Sequence, residues 1–263
     1  QDIGGKKSMN RIYKAFENKK AFIGFLTAGD PVIDKTVDYI LDMEQAGASL
    51  IEIGIPFSDP IAEGPVIQEA NIRALSKGMT TDQVFEIVAE VRKHSNIPLC
   101  LMTYLNPVFH YGYDEFFKKC QETGVDGIII PDCPYEESKE VSDICYKYDV
   151  DLISMIAPTS KERTLEIAAQ AKGFIYLVSS MGVTGMRSNI VTDIEGIVES
   201  IKTVTDTPVA VGFGINSPAQ VKHFGNIADG VIVGSAIVNL IKEHGDRAHQ
   251  PLFNYIQTLI KEL

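Results

Sequence analysis

Short β-branched runs alternate along the chain with stretches in which apolar residues recur every three to four positions. The runs cover residues 21–27, 50–55, 99–103, 127–130, 151–156, 174–178, 208–211 and 230–233. Helical periodicity fills most of the intervals, at 35–46, 83–94, 114–123, 136–148, 161–171 and 193–204, with a shorter stretch at 236–242. Gly47, Gly124 and Gly173 follow helical stretches just ahead of the next run, where a helix stop is expected. Eight strand-then-helix units in succession predict a parallel sheet with helical crossovers. At 263 residues the expected closure is a single (β/α)8 TIM barrel of the α/β class. The first strand is not followed by G-x-G-x-x-G, which argues against a dinucleotide-binding sheet. Residues 1–8 are polar and precede Met9, so they are expected to be a remnant ahead of the natural start or a disordered tail. The barrel is then expected to occupy 9–263.

In this fold the chemistry sits on the loops that follow the strands. The second strand reads Leu50-Ile51-Glu52-Ile53-Gly54-Ile55. Two-residue alternation sends the three isoleucines to one face and Leu50, Glu52 and Gly54 to the other. Isoleucines suit the seam under the helices, so Glu52 is expected to point into the barrel. A carboxyl there is costly to bury ionised, and its pKa should rise toward the range useful for giving and taking a proton. A solvent-facing Glu or a structural ion pair would be the plainer reading. Glu63 lies in the Pro-rich loop beyond; alone it reads as a solvated loop charge. Asp59 and Asp30 read as turn or cap residues.

The seventh strand ends in Gly212-Phe213-Gly214, and the eighth in Gly234-Ser235 ahead of a helix. Loops at these two places, with a helix N-terminus, form the recurrent phosphate site of such barrels. The turn Gly182-Val183-Thr184-Gly185 after the sixth strand offers further backbone donors. The segment 181–189 holds two glycines and Arg187 and is expected to be a mobile lid.

Composition removes other classes. A net charge of −11 is wrong for a nucleic-acid or anionic-membrane surface, and a phosphate held by backbone N–H groups needs no basic cluster. Cys100, Cys120, Cys133 and Cys145 form no C-x-x-C pair, as expected of free thiols in a reducing cytoplasm. No apolar run approaches the roughly 18 residues of a membrane span, and no signal peptide is visible. No lysine falls in a predicted strand, which disfavours a Schiff-base aldolase. The five histidines are scattered, which disfavours a metal site. Carboxylates with a phosphate cradle remain.

These residues carry a specific resemblance. Gly29-Asp30-Pro31, the run from Ile51 to Pro60, Gly182-Val183-Thr184-Gly185, Gly212-Phe213-Gly214-Ile215 and Gly234-Ser235-Ala236-Ile237-Val238 resemble, in order, the motifs of tryptophan synthase alpha chains. The resemblance implies a lyase of L-tryptophan biosynthesis that splits indole-3-glycerol phosphate into indole and glyceraldehyde 3-phosphate. It implies a cytoplasmic α2β2 heterotetramer with a beta subunit, no cofactor in this chain, and pyridoxal phosphate only in that partner. Glu52 matches the family's principal acid–base residue, and Glu63 a position where the family often has Asp. The indole pocket maps onto Phe25, Met102, Ile129, Tyr176 and Phe213, where core packing is the plainer alternative. The phosphate site maps onto Thr184, Gly185, Gly212, Gly214, Gly234 and Ser235. Ser180 stands where members often carry Arg.

Other readings stay open on the residues alone. A phosphosugar isomerase barrel would share the phosphate site, although such enzymes usually place carboxylates or thiols at the ends of strands 1 and 5 or 6. A regulatory subunit without turnover, or a free-standing indole-releasing lyase, would also fit. The segment Asn106-Pro107-Val108-Phe109-His110-Tyr111-Gly112-Tyr113 is read as an aromatic loop, expected to dock the partner.

Overall fold

A computed structural model of the chain describes residues 10–179 and 193–263. After a short helix α1 (Tyr13–Phe16), β1 (Ala21–Thr27) leads into α2 (Ile33–Ala46), and β2 (Leu50–Gly54) into α3 (Pro65–Ser76) and α4 (Thr81–Arg92). β3 (Leu99–Met102) is followed by α5 (Leu105–Tyr111) and α6 (Tyr113–Thr123), and β4 (Gly127–Ile129) by α7 (Ser138–Lys147). β5 (Asp151–Leu152) and β6 (Ser154–Ile156) precede α8 (Lys161–Gln170), and β7 (Ile175–Val178) precedes α9 (Ile194–Lys202). β8 (Val209–Gly212) leads to α10 (Pro218–Ile227), and β9 (Gly230–Val233) to α11 (Ser235–His244) and α12 (His249–Ile260).

The strands are all parallel and run in the order β5-β4-β3-β2-β1-β9-β8-β7-β6. The two outermost, β5 and β6, are consecutive pieces of one stretch interrupted at Ile153, so the sheet closes on itself into the expected barrel. Ile153 still donates its N–H to the Ile128 carbonyl at 2.9 Å, which keeps the wall continuous there.

Alternation along each strand divides the core in two. Phe22 and Leu26 of β1, Ile51 and Ile53 of β2, and Leu99 and Leu101 of β3 pack outward against the helices. Ile23, Phe25, Leu50, Cys100, Met102, Ile129, Tyr176, Ala210 and Ile232 fill the inside of the barrel. A side-chain-filled interior is the core of this fold rather than a pore. At the opposite end from the strand-terminal loops, buried Asp126 accepts from Arg92 at 2.9 Å, Arg11 at 3.1 Å and the Leu99 N–H at 2.9 Å.

Several expectations need correction. The fifth strand is not one run but two. The aromatic segment after β3 is not a loop; it forms α5, with Gly112 ending it at φ 92°. Tyr111 turns back onto Phe85 and Phe116 and donates to Asp82 at 2.6 Å, leaving Phe109 as the exposed ring. Asp30 is no simple turn residue. It is buried and gripped by Arg73 through two bonds, at 2.9 and 2.8 Å.

Candidate active site

Glu52 sits midway along β2, with Phe25 of β1 on one side and Cys100 of β3 on the other in register. Its inward direction follows from the alternation, and it is 1% exposed. Among the described residues its Oε1 has no hydrogen-bond partner. Burial pushes the carboxyl up to about 8. At neutral pH the resting side chain is therefore a neutral acid. The Tyr176 hydroxyl is likewise raised, by burial and then by the nearby Glu52 charge.

A cavity of about 250 Å³ opens above this group at the C-terminal ends of the strands. Phe25, Met102, Tyr176, Phe213 and Ile232 form its apolar wall, and Glu52 and Glu63 its two acidic points. Gly54 and Gly212 shape the wall by having no side chain. A Cβ on Gly54 would come 2.7 Å from the Phe25 ring, and one on Gly212 would come 2.6 Å from the Tyr176 hydroxyl. Larger hollows exist elsewhere. One of about 640 Å³ lies against α7 and α8, but its Arg163 and Lys139 are already paired with Glu136 and Asp143.

Glu63 is half-buried at the entrance to α3, which starts with Pro65 at its first position after Gly64. Its Oε2 accepts from Asn71 Nδ2 at 2.8 Å. Burial raises its pKa, and hydrogen bonds from Asn71 and the Tyr104 hydroxyl oppose that rise. Two carboxyl groups thus face one cavity in different settings. One is orphaned in an apolar floor, while the other is held by donors at the rim.

The far end of the cavity is lined by Gly214, Asn216, Gly234, Ser235 and Ala236. The first intrahelical bond of α11 runs from the Val238 N–H to the Gly234 carbonyl at 3.1 Å. The N–H groups ahead of Val238 therefore belong to the free helix end, where the macrodipole favours an anion. Phe213 adopts φ 83° and Gly214 φ 73°. That conformation costs a bulky residue such as Phe213 energy, and strain of this kind concentrates at functional sites. Ser179 holds the turn by donating through Oγ to the Phe213 carbonyl at 2.7 Å.

Of the residues anticipated from sequence, Phe25, Met102, Tyr176, Phe213, Glu52, Glu63, Gly214, Gly234 and Ser235 border one cavity. Ile129 is fully buried inside the barrel beside Met102 and does not border it. Gly212 lies just beneath, against Tyr176. Thr184, Gly185, Ser180 and the proposed lid lie outside the described residues. Sequence reasoning missed Ile232, Asn216, Tyr104 and Asn71. Ile232 carried a signal, since alternation along β9 points it inward. Nothing local marked Asn71 or Tyr104.

Comparison with known proteins gives one answer. A family model described as tryptophan synthase alpha chain matches residues 13–261. The tryptophan synthase alpha chain of Lactiplantibacillus plantarum is 50% identical over 237 residues, covering 90% of each protein. That of Lacticaseibacillus casei is 46% identical over 240 residues, 91% of this chain and 90% of the relative. The crystal structure of the alpha chain from Legionella pneumophila subsp. pneumophila superposes with a TM-score of 0.86 at 36% identity, covering 97% of both chains. A chain from the tryptophan synthase α2β2 complex of Pyrococcus furiosus, described in terms of mutual activation, gives 0.85 at 39% identity, with 92% of this chain and 99% of that one covered.

Proposed function

Because the chain belongs to the tryptophan synthase alpha chain family, we propose how its own residues perform the cleavage of indole-3-glycerol phosphate to indole and glyceraldehyde 3-phosphate. The observation that carries the reading is the buried carboxyl Glu52, whose Oε1 has no partner among the described residues, on a cavity that also borders the free N-terminus of α11. The phosphate is assigned to the N–H groups at the start of α11 and the Phe213–Gly214 turn. The indole ring is assigned to the wall of Phe25, Met102, Tyr176, Phe213 and Ile232.

Cleavage starts with a proton delivered to indole C3, which places positive charge on the ring nitrogen. Glu52 is the donor, since burial keeps it protonated at neutral pH. Glu63 accepts a hydrogen bond from the ring N–H and stabilises the charge developing there. The C–C bond then breaks, its electron pair returns to the ring, and the side-chain hydroxyl becomes the aldehyde by losing its proton to the Glu52 carboxylate. Glu52 ends protonated as it began, so two proton transfers close on one residue. We propose that neither metal nor pyridoxal phosphate takes part.

The relatives of known structure include a chain from an α2β2 complex. A beta subunit is proposed to dock this chain at the strand C-terminal face, where Phe109 is 64% and Ile61 77% exposed. Among the described residues no helix is long and apolar enough to cross a membrane, and a cytoplasmic setting is proposed.

The test mixes the purified chain with indole-3-glycerol phosphate, with chelator and without pyridoxal phosphate, and follows indole. Steady release supports the reading. Release that requires a metal, or a substrate imine trapped by borohydride, overturns it.

A further inference from the structure

Asn71 is an odd residue where it stands. It lies in the interior of α3, where Asn is a weak helix former, and it is 3% exposed, so its amide is withdrawn from water. Its neighbour Ala70 packs into the barrel interior. A buried amide at such a place must recover its lost hydration through specific bonds. The bond it makes is to Glu63, at 2.8 Å onto Oε2.

The same helix grips Glu63 a second time. Gln68 Nε2 donates to the Glu63 main-chain carbonyl at 2.8 Å, three residues before Asn71 and on the same face. From the other side comes Tyr104, itself 2% exposed and packed at 5.4 Å against the Phe57 ring. Its hydroxyl accepts the Ala62 N–H at 3.2 Å, next to Glu63 in the chain, and it opposes the rise in the Glu63 pKa. Neither Asn71 nor Tyr104 borders the cavity; both stand behind Glu63.

We propose that Asn71 and Tyr104 are positioning residues for the cleavage reaction, fixing the Glu63 carboxylate as an anion aimed at the indole N–H; this rests on the role given to Glu63 above. Asn71 Nδ2 donates to Glu63 Oε2 at 2.8 Å, and a protonated Glu63 with its hydrogen on that oxygen would lose the contact. That contact therefore favours the ionised form, and the Tyr104 hydroxyl nearby acts in the same direction. They also set direction. A Glu side chain has three rotatable bonds, and a carboxylate free to rotate would meet the ring nitrogen only part of the time. Misplacing a group that acts in the transition state lowers the rate of the chemical step more than substrate binding.

The structural alternative is that Asn71 merely anchors the loop to α3. A double-mutant cycle separates the two. Asn71→Leu keeps the branched outline of the side chain and removes the donor, and Tyr104→Phe removes only the hydroxyl. Each is measured on the full chain for indole release from indole-3-glycerol phosphate, alone and combined with Glu63→Gln. The expected result for each single variant is a fall of ~10–100-fold in kcat, the scale of one bond to a charged group, with KM nearly unchanged. In the Glu63→Gln background neither change should cost more than about twofold, because the group they act through is already gone. Full losses that multiply with Glu63→Gln, or loss in KM rather than kcat, overturn the inference. If Asn71→Leu does not fold, Tyr104→Phe decides alone by the same criterion. If Glu63→Gln itself keeps normal turnover, the role of Glu63 fails instead, and the two failures are distinguishable.

Discussion

Replacing Glu52 by Gln should make the protein more stable at neutral and alkaline pH while removing its activity. The carboxyl titrates near 8 in the folded chain against an ordinary value of 4.5, with burial as the cause. A folded pKa above the unfolded one means that the folded state binds the proton more tightly. Stability is therefore complete below about 4.5 and is lost as pH rises through the window from 4.5 to 8. Each pH unit in that window costs about 1.4 kcal/mol, which sums to an order of magnitude of 5 kcal/mol above pH 8 and about 3 kcal/mol at pH 7. Glu52→Gln carries no such charge. The urea-unfolding free energies of the two proteins should run parallel at pH 4–5 and diverge with that slope up to about pH 8. Asp151, raised to about 6 by burial, adds its own pH dependence to both proteins and cancels in the difference. A difference that stays flat across pH 4.5–8 would refute the reasoning, since it would mean that Glu52 is not desolvated as its burial implies.

Glu63→Asp should retain much of the indole release and Glu63→Ala should lose it, because the charge matters and the stem length matters less; equal behaviour of the two variants would mark a solvated loop charge. Arg73→Met leaves the Asp30 carboxylate buried without its two-pronged partner and should cost roughly 3 kcal/mol in denaturant melts, the low end for a broken buried pair because Arg73 keeps 29% of its side chain exposed. Restoring neutrality with Asp30→Asn in the same chain should recover most of that loss, and no recovery would locate the cost elsewhere. Phe109→Ser should reduce the acceleration given by a beta subunit, expected at about tenfold or more, while leaving the basal rate; unchanged acceleration would move the docking surface off α5.

The strands and the inward carboxyl were legible because two-residue alternation is a local signal. The three isoleucines around Glu52 announce its direction within a single six-residue run. That the glycine-bearing ends of β8 and β9 border one cavity was legible because strand order fixes which loops become neighbours. Several helices escaped for physical reasons. Pro107 in the first turn of α5, amid aromatic residues, resembles loop chemistry until Tyr111 is seen to pack on Phe85 and Phe116. α10 had its signal in full, a Ser217 cap, Pro218 at the first position and Gln220 completing a capping box. α12 shows Leu252, Ile256 and Leu259 on one face, a pattern that lies beyond the last strand. What sequence could not give was pairing at a distance. Asp30 meets Arg73 across 43 positions, and Tyr104 meets the loop around Glu63 from a different strand end. Such partners are chosen by the closure of the barrel, and no local periodicity encodes them.

The central claim is that Glu52, neutral at rest and alone at the cavity floor, both gives and takes the proton. It is tested most directly by the turnover of Glu52→Gln, measured as indole release from saturating indole-3-glycerol phosphate by a variant shown to be folded by its melting curve. Gln keeps the shape but can carry neither transfer, so kcat should fall by ~10²–10⁴, the range of general acid–base catalysis. Near wild-type turnover in a fully folded Glu52→Gln protein would contradict the account.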